Sequence, residues 1–466
     1  MIHFGTAGWR GVIGDEFTFH NVRLVSQAIA NHLITVNGNA PAIVGYDTRF
    51  LSERFAAEAA KVLSQNGIRS LCCCRDVPTP TISFSILKWD ACGALNFTAS
   101  HNPPQYNGLK FHDASGATAL PEVTARIEHE LRALESSFND SYAPAAALIE
   151  TIDPADAYLD QLGNLVDLDL ISRSGLRLAV DSLYGTGREY LDRILIDAGV
   201  CCEVIHNFRD PYFGGYSPES RESNLRELQE LVRSGTCTLG LATDSDCDRF
   251  AIIDTDGSYL NPNDVLGLLA HFILSERGTR GDLGRTVATT HLIDRVAALH
   301  GVRVHETPVG FKYIGKLIRD GRIVFGGEES AGLSIAGHVP DKDGILACLL
   351  VAELAARHGV PVRRQLEALW DKVGRSVHER RDYALDAELE ESTAEKLRNP
   401  PAQLAGLEVL EVTRLDGVKL HFEDSWFLYR RSGTENVLRC YAEAPTREQV
   451  LALHAAGRSL LSGQAR

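Results

Sequence analysis

The chain has 466 residues, more than one hydrophobic core usually supports, so two to four domains with clefts between them are expected. Hydrophobic residues at 44% and charged residues at 23% argue against a disordered chain. The formal net charge of −15, with no long Lys/Arg stripe to reverse it, argues against nucleic acid as a partner but leaves room for a small phosphorylated ligand held by a few cations and backbone N–H groups.

In chain order, the opening MIHFGTAGWRG has no basic start, apolar segment or cleavage site, so a cytoplasmic protein is expected. PAIVGYD reads as a strand and LSERFAAEAAKVLSQNG as the amphipathic helix after it; LRLAVDS, REYLDRILIDAG and CCEVIHN repeat the alternation. A third round runs from NPNDVLGLLAHFILSERG through RTVATTHLIDRVAALHG to RVHETPVGFKYIGKLIRDGRIVFGG. Such alternation is the signature of right-handed β-α-β units, so three consecutive α/β domains with mostly parallel sheets are expected. GILACLLVAELAA is too short to span a bilayer and reads as a buried helix, so no membrane partner is expected. The last ninety or so residues differ, with period-two alternation around a DG turn and an SGT turn, which predicts a smaller α+β domain of antiparallel strands. Composition shifts divide the chain at 1–150, 151–256, 257–372 and 373–466. Cys72, Cys73 and Cys74 are adjacent in a strand and point to opposite faces, so free thiols are expected, and with no CxxC pair structural zinc has no support.

Four stretches carry candidate chemistry. In TASHNPPQYNGLKF (98–111), Thr98, Ser100, His101 and Asn102 supply polar groups, Pro103 and Pro104 stiffen the loop, and Gly108 suits a φ that other residues avoid. Lys110 brings a cation near Ser100. A fixed hydroxyl beside an ammonium suits a phosphoryl acceptor, because a phosphate carries about −1.5 to −2 charges. In LATDSDCDRF, Asp244, Asp246 and Asp248 are spaced to share one side of an extended segment, and three clustered carboxylates call for a hard cation such as Mg²⁺; an acidic surface loop would read the same way. Arg249 beside them can reach a substrate or brace the loop. GGEES (326–330) offers carboxylates and a hydroxyl for sugar hydroxyls, or is only a turn. RRSGTENVLR sets Ser432, Gly433 and Thr434 between arginines, as a phosphate nest or a plain hairpin turn.

Together these four motifs, in this order, resemble the α-D-phosphohexomutase family, whose members include phosphoglucomutase and phosphomannomutase. TASHNP resembles its phosphoserine loop, DSDCDR its magnesium loop, GGEES its sugar loop and RRSGTE its phosphate loop, and the likeness runs from FGTAGWRG to RCYAEA. The resemblance implies four domains around a central active-site cleft. It implies that Ser100 is phosphorylated and that Asp244, Asp246 and Asp248, with an oxygen of that phosphoserine, hold Mg²⁺. It places Lys110 and Lys312 near the reacting groups as general base or acid, with Arg10 and His101 in the catalytic set and Thr6 in a loop reaching the site. Glu328 and Ser330, with Arg249 nearby, would bind sugar hydroxyls. Arg430, Ser432, Gly433, Thr434 and Arg439 would hold the phosphate that is not reacting.

The implied substrate is a hexose phosphate, with glucose 1,6-bisphosphate as intermediate and activator, in a monomer or homodimer whose fourth domain closes over the cleft. GGEES and the following GHVPDKDG, with His338 and Lys342 as further substrate-binding residues, resemble the phosphoglucomutase branch; phosphomannomutase, dual-specificity and phosphoglucosamine mutases are the neighbouring alternatives. Ala331 and Gly332 stand where phosphomannomutase-like members often carry a His, which argues against mannose specificity. Outside the family, DSDCD also resembles the motif of an aspartyl-nucleophile phosphohydrolase, which leaves the other three loops without roles. A silent phosphosugar-binding protein would be expected to lack Ser100, Lys110 or the aspartates.

Overall fold

The computed structural model describes residues 2–5, 8–37, 40–134, 138, 144–385, 397–433 and 436–462; two expected site residues, Thr6 and Thr434, lie outside the described residues. Four main sheets follow one another along the chain. The first is ordered in space Trp9–Val12, Tyr106–Asp113, Gly93–Phe97, Ala42–Tyr46, Ser70–Cys73, Ile149–Ile152. The second is ordered Tyr259–Leu260, Phe250–Ile253, Leu239–Thr243, Arg177–Asp181, Cys201–Ile205, and the third Val304–Thr307, Leu283–Thr286, Phe325–Glu328, Gly332–Ile335. Strands Ile149–Ile152 and Tyr259–Leu260 carry the first and second sheets a few residues past the divisions read from composition.

The first three sheets are mixed and mostly parallel, as expected. Their centres are parallel and joined by helical crossovers, but Gly93–Phe97 pairs antiparallel with Tyr106–Asp113, Leu239–Thr243 with Phe250–Ile253, and Phe325–Glu328 with Gly332–Ile335. A parallel return requires a crossover of a dozen or so residues, and the connections 98–105, 244–249 and 329–331 are too short for one. The fourth sheet is antiparallel throughout, in the order Val377–Ala384, Val437–Ala444, Trp426–Arg431, Val418–His421, Glu411–Thr413, with the helix Arg447–Ser462 packed on it. All four candidate loops are therefore hairpin turns that leave the end of one strand and return beside it.

Packing unites the middle of the molecule. One continuous apolar core runs from Ala155 to Leu369 and serves both the second and third sheets, whereas the first and fourth sheets have cores of their own. The helix Gly344–His358 explains the union, since it is apolar all round, buried through Ala355, and touches strands of both sheets. Asp343 starts it by accepting the Leu346 N–H at 2.9 Å, and Gly359, at φ 63°, ends it. No single helix among the described residues is long and apolar enough to cross a membrane. All ten cysteines are free.

Candidate active site

The four hairpin turns converge on one cleft of about 370 Å³. Arg10, Ser100, His101 and Lys110 line it from the first sheet, Asp248 and Arg249 from the second, Lys312, Glu328, Ser330 and Lys342 from the third, and Arg430, Ser432, Gly433 and Arg439 from the fourth. Residues separated by more than 300 positions thus meet across a space the size of a small polar ligand.

Ser100 is buried and sits at φ 50°, the left-handed region that non-glycine residues seldom occupy. Its N–H donates to Thr98 Oγ1 at 2.9 Å, and its carbonyl accepts from Ser245 Oγ at 2.8 Å. The strain expected at Gly108 is therefore found at Ser100. Gly108 has ordinary backbone and is needed for closeness: a Cβ there would stand 2.5 Å from the Thr98 carbonyl oxygen and 2.8 Å from that of Trp9. Arg10, on the neighbouring strand opposite Gly108, donates to Asn102 Oδ1. Burial, and then the charge of Arg249, lower the Arg10 guanidinium to about 10, which leaves it charged.

Below the hydroxyl, oxygens of Asp244, Asp246 and Asp248 all lie within 4.8 Å of one another, and Ser100 Oγ is 3.5 Å from Asp244 Oδ2. Burial, then Asp248 and Asp246, push the Asp244 carboxyl well above its ordinary range. The Oδ1 atoms of Asp246 and Asp248 are buried without a hydrogen-bond partner. Orphaned carboxylate oxygens in an all-oxygen cluster are the donor set of a hard divalent cation, so these residues fit a metal site.

Lys110 Nζ donates to Asp246 Oδ2 at 2.7 Å and Asp248 Oδ2 at 2.9 Å, and Lys342 Nζ lies 3.2 Å from the same Asp248 oxygen. Burial opposes the charge on Lys110, but the two aspartates outweigh it and hold the ammonium above its ordinary range. Thr79, from the first sheet's side, donates its hydroxyl to Asp246 Oδ2 at 2.7 Å and its N–H to the Asp246 carbonyl at 2.8 Å. The metal loop is thereby tied to the domain that carries Ser100.

Lys312 stands in the first turn of the helix Phe311–Arg319, and burial lowers its pKa. Glu328 Oε1 accepts the Gly310 N–H at 2.9 Å, just ahead of that helix; burial and then Glu329 raise its carboxyl. His101 Nδ1 lies 3.3 Å from Ser100 Oγ; burial, Arg249 and Arg10 push this imidazole well below its ordinary value, so it is neutral near pH 7. Arg249 is braced by Glu219 Oε1 at 2.9 Å, and its N–H donates to Asp244 Oδ1 at 3.1 Å. In the fourth domain, Arg430 Nε donates to Asp416 Oδ2 at 2.8 Å, which also accepts the Val309 N–H at 3.0 Å, so the phosphate-loop strand is pinned to the third domain.

One expected substrate residue is misplaced. His338 does not face the cleft: its side chain is wholly buried, with Nε2 2.6 Å from Asp343 Oδ2, an oxygen that also accepts from Tyr158 at 2.6 Å. It orients the carboxylate that caps the helix Gly344–His358. Sequence reasoning also missed Arg49, Thr79, Asp416 and the cleft-lining Glu219, Arg221, Arg380 and Asp382. Only the DTR of GYDTR, two charged residues in the three positions after a buried strand, could have flagged Arg49.

Models of the phosphoglucomutase/phosphomannomutase alpha/beta/alpha domains I, II and III match residues 1–137, 156–257 and 261–373, and that of the C-terminal domain matches residues 382–458. A phosphoglucomutase of Komagataeibacter xylinus is 30% identical over 95% of this chain and 87% of its own. The chain belongs to the phosphoglucomutase/phosphomannomutase family. As a phosphohexomutase it is an intramolecular phosphotransferase, and the aspartyl-phosphohydrolase reading of DSDCD is set aside. A phosphoglucomutase/phosphomannomutase of Thermococcus kodakarensis is 29% identical over 96% of this chain and 95% of its own. Among solved structures, a "putative phosphomannomutase" of Thermus thermophilus superposes with a TM-score of 0.88 at 34% identity, covering 99% of both chains.

Proposed function

We propose that this phosphohexomutase interconverts glucose 1-phosphate and glucose 6-phosphate through a phosphorylated Ser100 and a glucose 1,6-bisphosphate intermediate. The observation that carries the proposal is the Ser100 hydroxyl, buried in a left-handed turn and 3.5 Å from Asp244 at the floor of the cleft. Asp244, Asp246 and Asp248, with an oxygen of the phosphorylated Ser100, would hold Mg²⁺, which neutralises charge on the transferring phosphoryl group.

In the first half-reaction the Ser100 Oγ–P bond breaks as the free sugar hydroxyl forms its own bond to phosphorus; the departing Oγ takes up a proton that it gives back when it attacks the second phosphate, and the sugar hydroxyl's proton passes to a base. Lys312 suits this role because burial lowers its pKa, while Lys110, held charged by two aspartates, supplies electrostatic stabilisation. Glu328, Ser330, Arg249 and Lys342 orient the sugar; Arg430, Ser432, Gly433 and Arg439 take the phosphate that is not reacting, its charge matched by the guanidinium pair. The bisphosphate then turns end for end, and its other phosphate returns to Ser100 with the proton restored to the leaving oxygen. Neutral His101 and charged Arg10 steady the loop and its phosphate.

The relative named phosphoglucomutase and the GGEES loop favour glucose; the Thermus neighbour's name keeps mannose as the second reading. The test is a coupled assay with Mg²⁺ and trace glucose 1,6-bisphosphate, on glucose 1-phosphate, mannose 1-phosphate and glucosamine 1-phosphate, for wild type and Ser100→Ala. Loss of turnover in Ser100→Ala with glucose 1-phosphate preferred is expected; full activity of the variant would sink the phosphoserine route.

A further inference from the structure

Arg49 is wholly buried in the loop that follows the strand Ala42–Tyr46, and every N–H of its guanidinium is engaged. Nε donates to Asp47 Oδ2 at 3.1 Å. Nη1 donates to the carbonyls of Pro103 at 2.9 Å and Tyr106 at 3.0 Å, and Nη2 to those of Ser100 and of Asn102, the latter at 2.6 Å. One side chain thus gathers four carbonyls of the turn between Gly93–Phe97 and Tyr106–Asp113, the residue bearing the hydroxyl among them. Asp47 is itself aimed by the Arg49 N–H at 3.0 Å and the Ser52 hydroxyl at 2.8 Å, and the Phe213 ring of the second domain lies 5.0 Å from the guanidinium carbon.

We propose that Arg49 is the positioning residue of phosphoryl transfer, clamping the carbonyl side of the phosphoserine turn so that Ser100 Oγ keeps one aim while the sugar turns. The inference rests on Ser100 being the phosphoryl carrier. Ser100 Oγ must serve once as leaving group and once as nucleophile, from the same point, with a reorienting ligand between. A left-handed serine does not hold itself there, because its backbone is in a region L residues leave when unconstrained. Arg49 makes no hydrogen bond to the metal carboxylates and does not line the cleft, and although the charges of Asp246 and Asp244 reach it, its direct bonds go to the turn, so its effect falls on alignment more than on ligand binding. Lysine cannot replace it: three donors radiating from one nitrogen cannot span carbonyls from residue 100 to residue 106.

The test uses full-length enzyme with Mg²⁺, labelled on Ser100 from ³²P glucose 1,6-bisphosphate and mixed with glucose 1-phosphate in a rapid-quench single turnover. Arg49→Lys is expected to slow transfer by about 100-fold, the scale of a 1 Å misplacement, while glucose 1-phosphate affinity by equilibrium titration stays within about twofold. A merely structural residue would instead lower the competent fraction and leave the rate of that fraction unchanged. Folded Arg49→Lys that transfers at the wild-type rate overturns the clamp. Should that variant not fold, Asp47→Asn, which keeps the guanidinium and its four carbonyls but frees Nε, is expected to slow transfer by about tenfold at unchanged affinity, and an unchanged rate overturns the clamp equally. Absence of label on wild-type Ser100 overturns the phosphoserine reading and the clamp together; label present with variant and wild type alike overturns the clamp alone.

Discussion

Two lysines face the cleft with opposite electrostatics. Lys110 is locked between Asp246 and Asp248, which raise its pKa against the effect of burial, so it stands in the cleft as a fixed positive charge. Lys312 is lowered by burial, with Glu122 pulling in the other direction, which suits it to the proton exchange proposed above. The two roles separate under Lys312→Arg, because a guanidinium keeps the charge but does not release a proton near neutral pH. That variant is expected to lose roughly 10²- to 10⁴-fold in kcat, the usual scale of general acid–base catalysis, with KM little changed. The check is steady-state kinetics at saturating bisphosphate; a kcat within a few-fold of wild type would assign Lys312 to charge stabilisation alone.

Hairpins, as elements, explain why the chemistry lies where it does. Each of the first three candidate loops is the turn of a strand pair whose register is fixed by paired backbone groups, so the turn inherits the rigidity of the sheet. In the first of them Gly108→Ala is expected to cost about 1–3 kcal/mol, because the added Cβ meets two backbone oxygens, that of Trp9 in the neighbouring strand and that of Thr98 just past the other, which have little room to retreat. Urea unfolding at fixed pH measures it, and a loss below a few tenths would mean the sheet edge relaxes freely. The three-carboxylate turn makes a second prediction. Since it gathers like charges in the folded state only, Mg²⁺ at about 100 times its Kd should add about 2.7 kcal/mol to the unfolding free energy, chelator should remove it, and Asp246→Asn should greatly weaken the effect.

These turns were legible in the sequence because each keeps its functional groups contiguous: Ser100 with Lys110, the three aspartates, Glu328 with Ser330. What holds the turns was not legible. Arg49 acts 51 residues from Ser100 and Thr79 acts 167 residues from Asp246, and no local pattern links them. His338 failed for the same reason in reverse, since a histidine beside a motif looks like a ligand until Asp343 and Tyr158 are seen to draw it into the core. The antiparallel strands escaped because a short apolar run such as FAII carries no mark of direction.

At the scale of the whole molecule, the fourth domain is attached differently from the rest. The second and third domains share one core, but the fourth meets the third through a small apolar patch around Trp426 and a buried polar cluster centred on Lys419. Lys419 Nζ donates to the Val287 carbonyl at 2.7 Å and to Glu306 Oε1 at 3.3 Å, stands 2.8 Å from His291 Nε2, and lies 4.1 Å from the centre of the Trp426 ring. Burial first, and the charge of Arg285 second, lower its pKa from 10.5 to about 7 against the opposing pull of Glu306. The unfolded chain keeps the ordinary value and so binds more protons between about pH 7 and pH 10.5. Stability from this group therefore rises with pH across that window, and is flat below it, where the lysine is protonated in both states. A single proton corresponds to at most about 1.4 kcal/mol per pH unit. The unfolding free energy of wild type relative to Lys419→Met, measured in urea at pH 7, 8 and 9, should climb toward that slope, because methionine fills similar space and does not titrate. Parallel pH profiles would show that Lys419 stays charged in the interface, its desolvation met in full by Glu306.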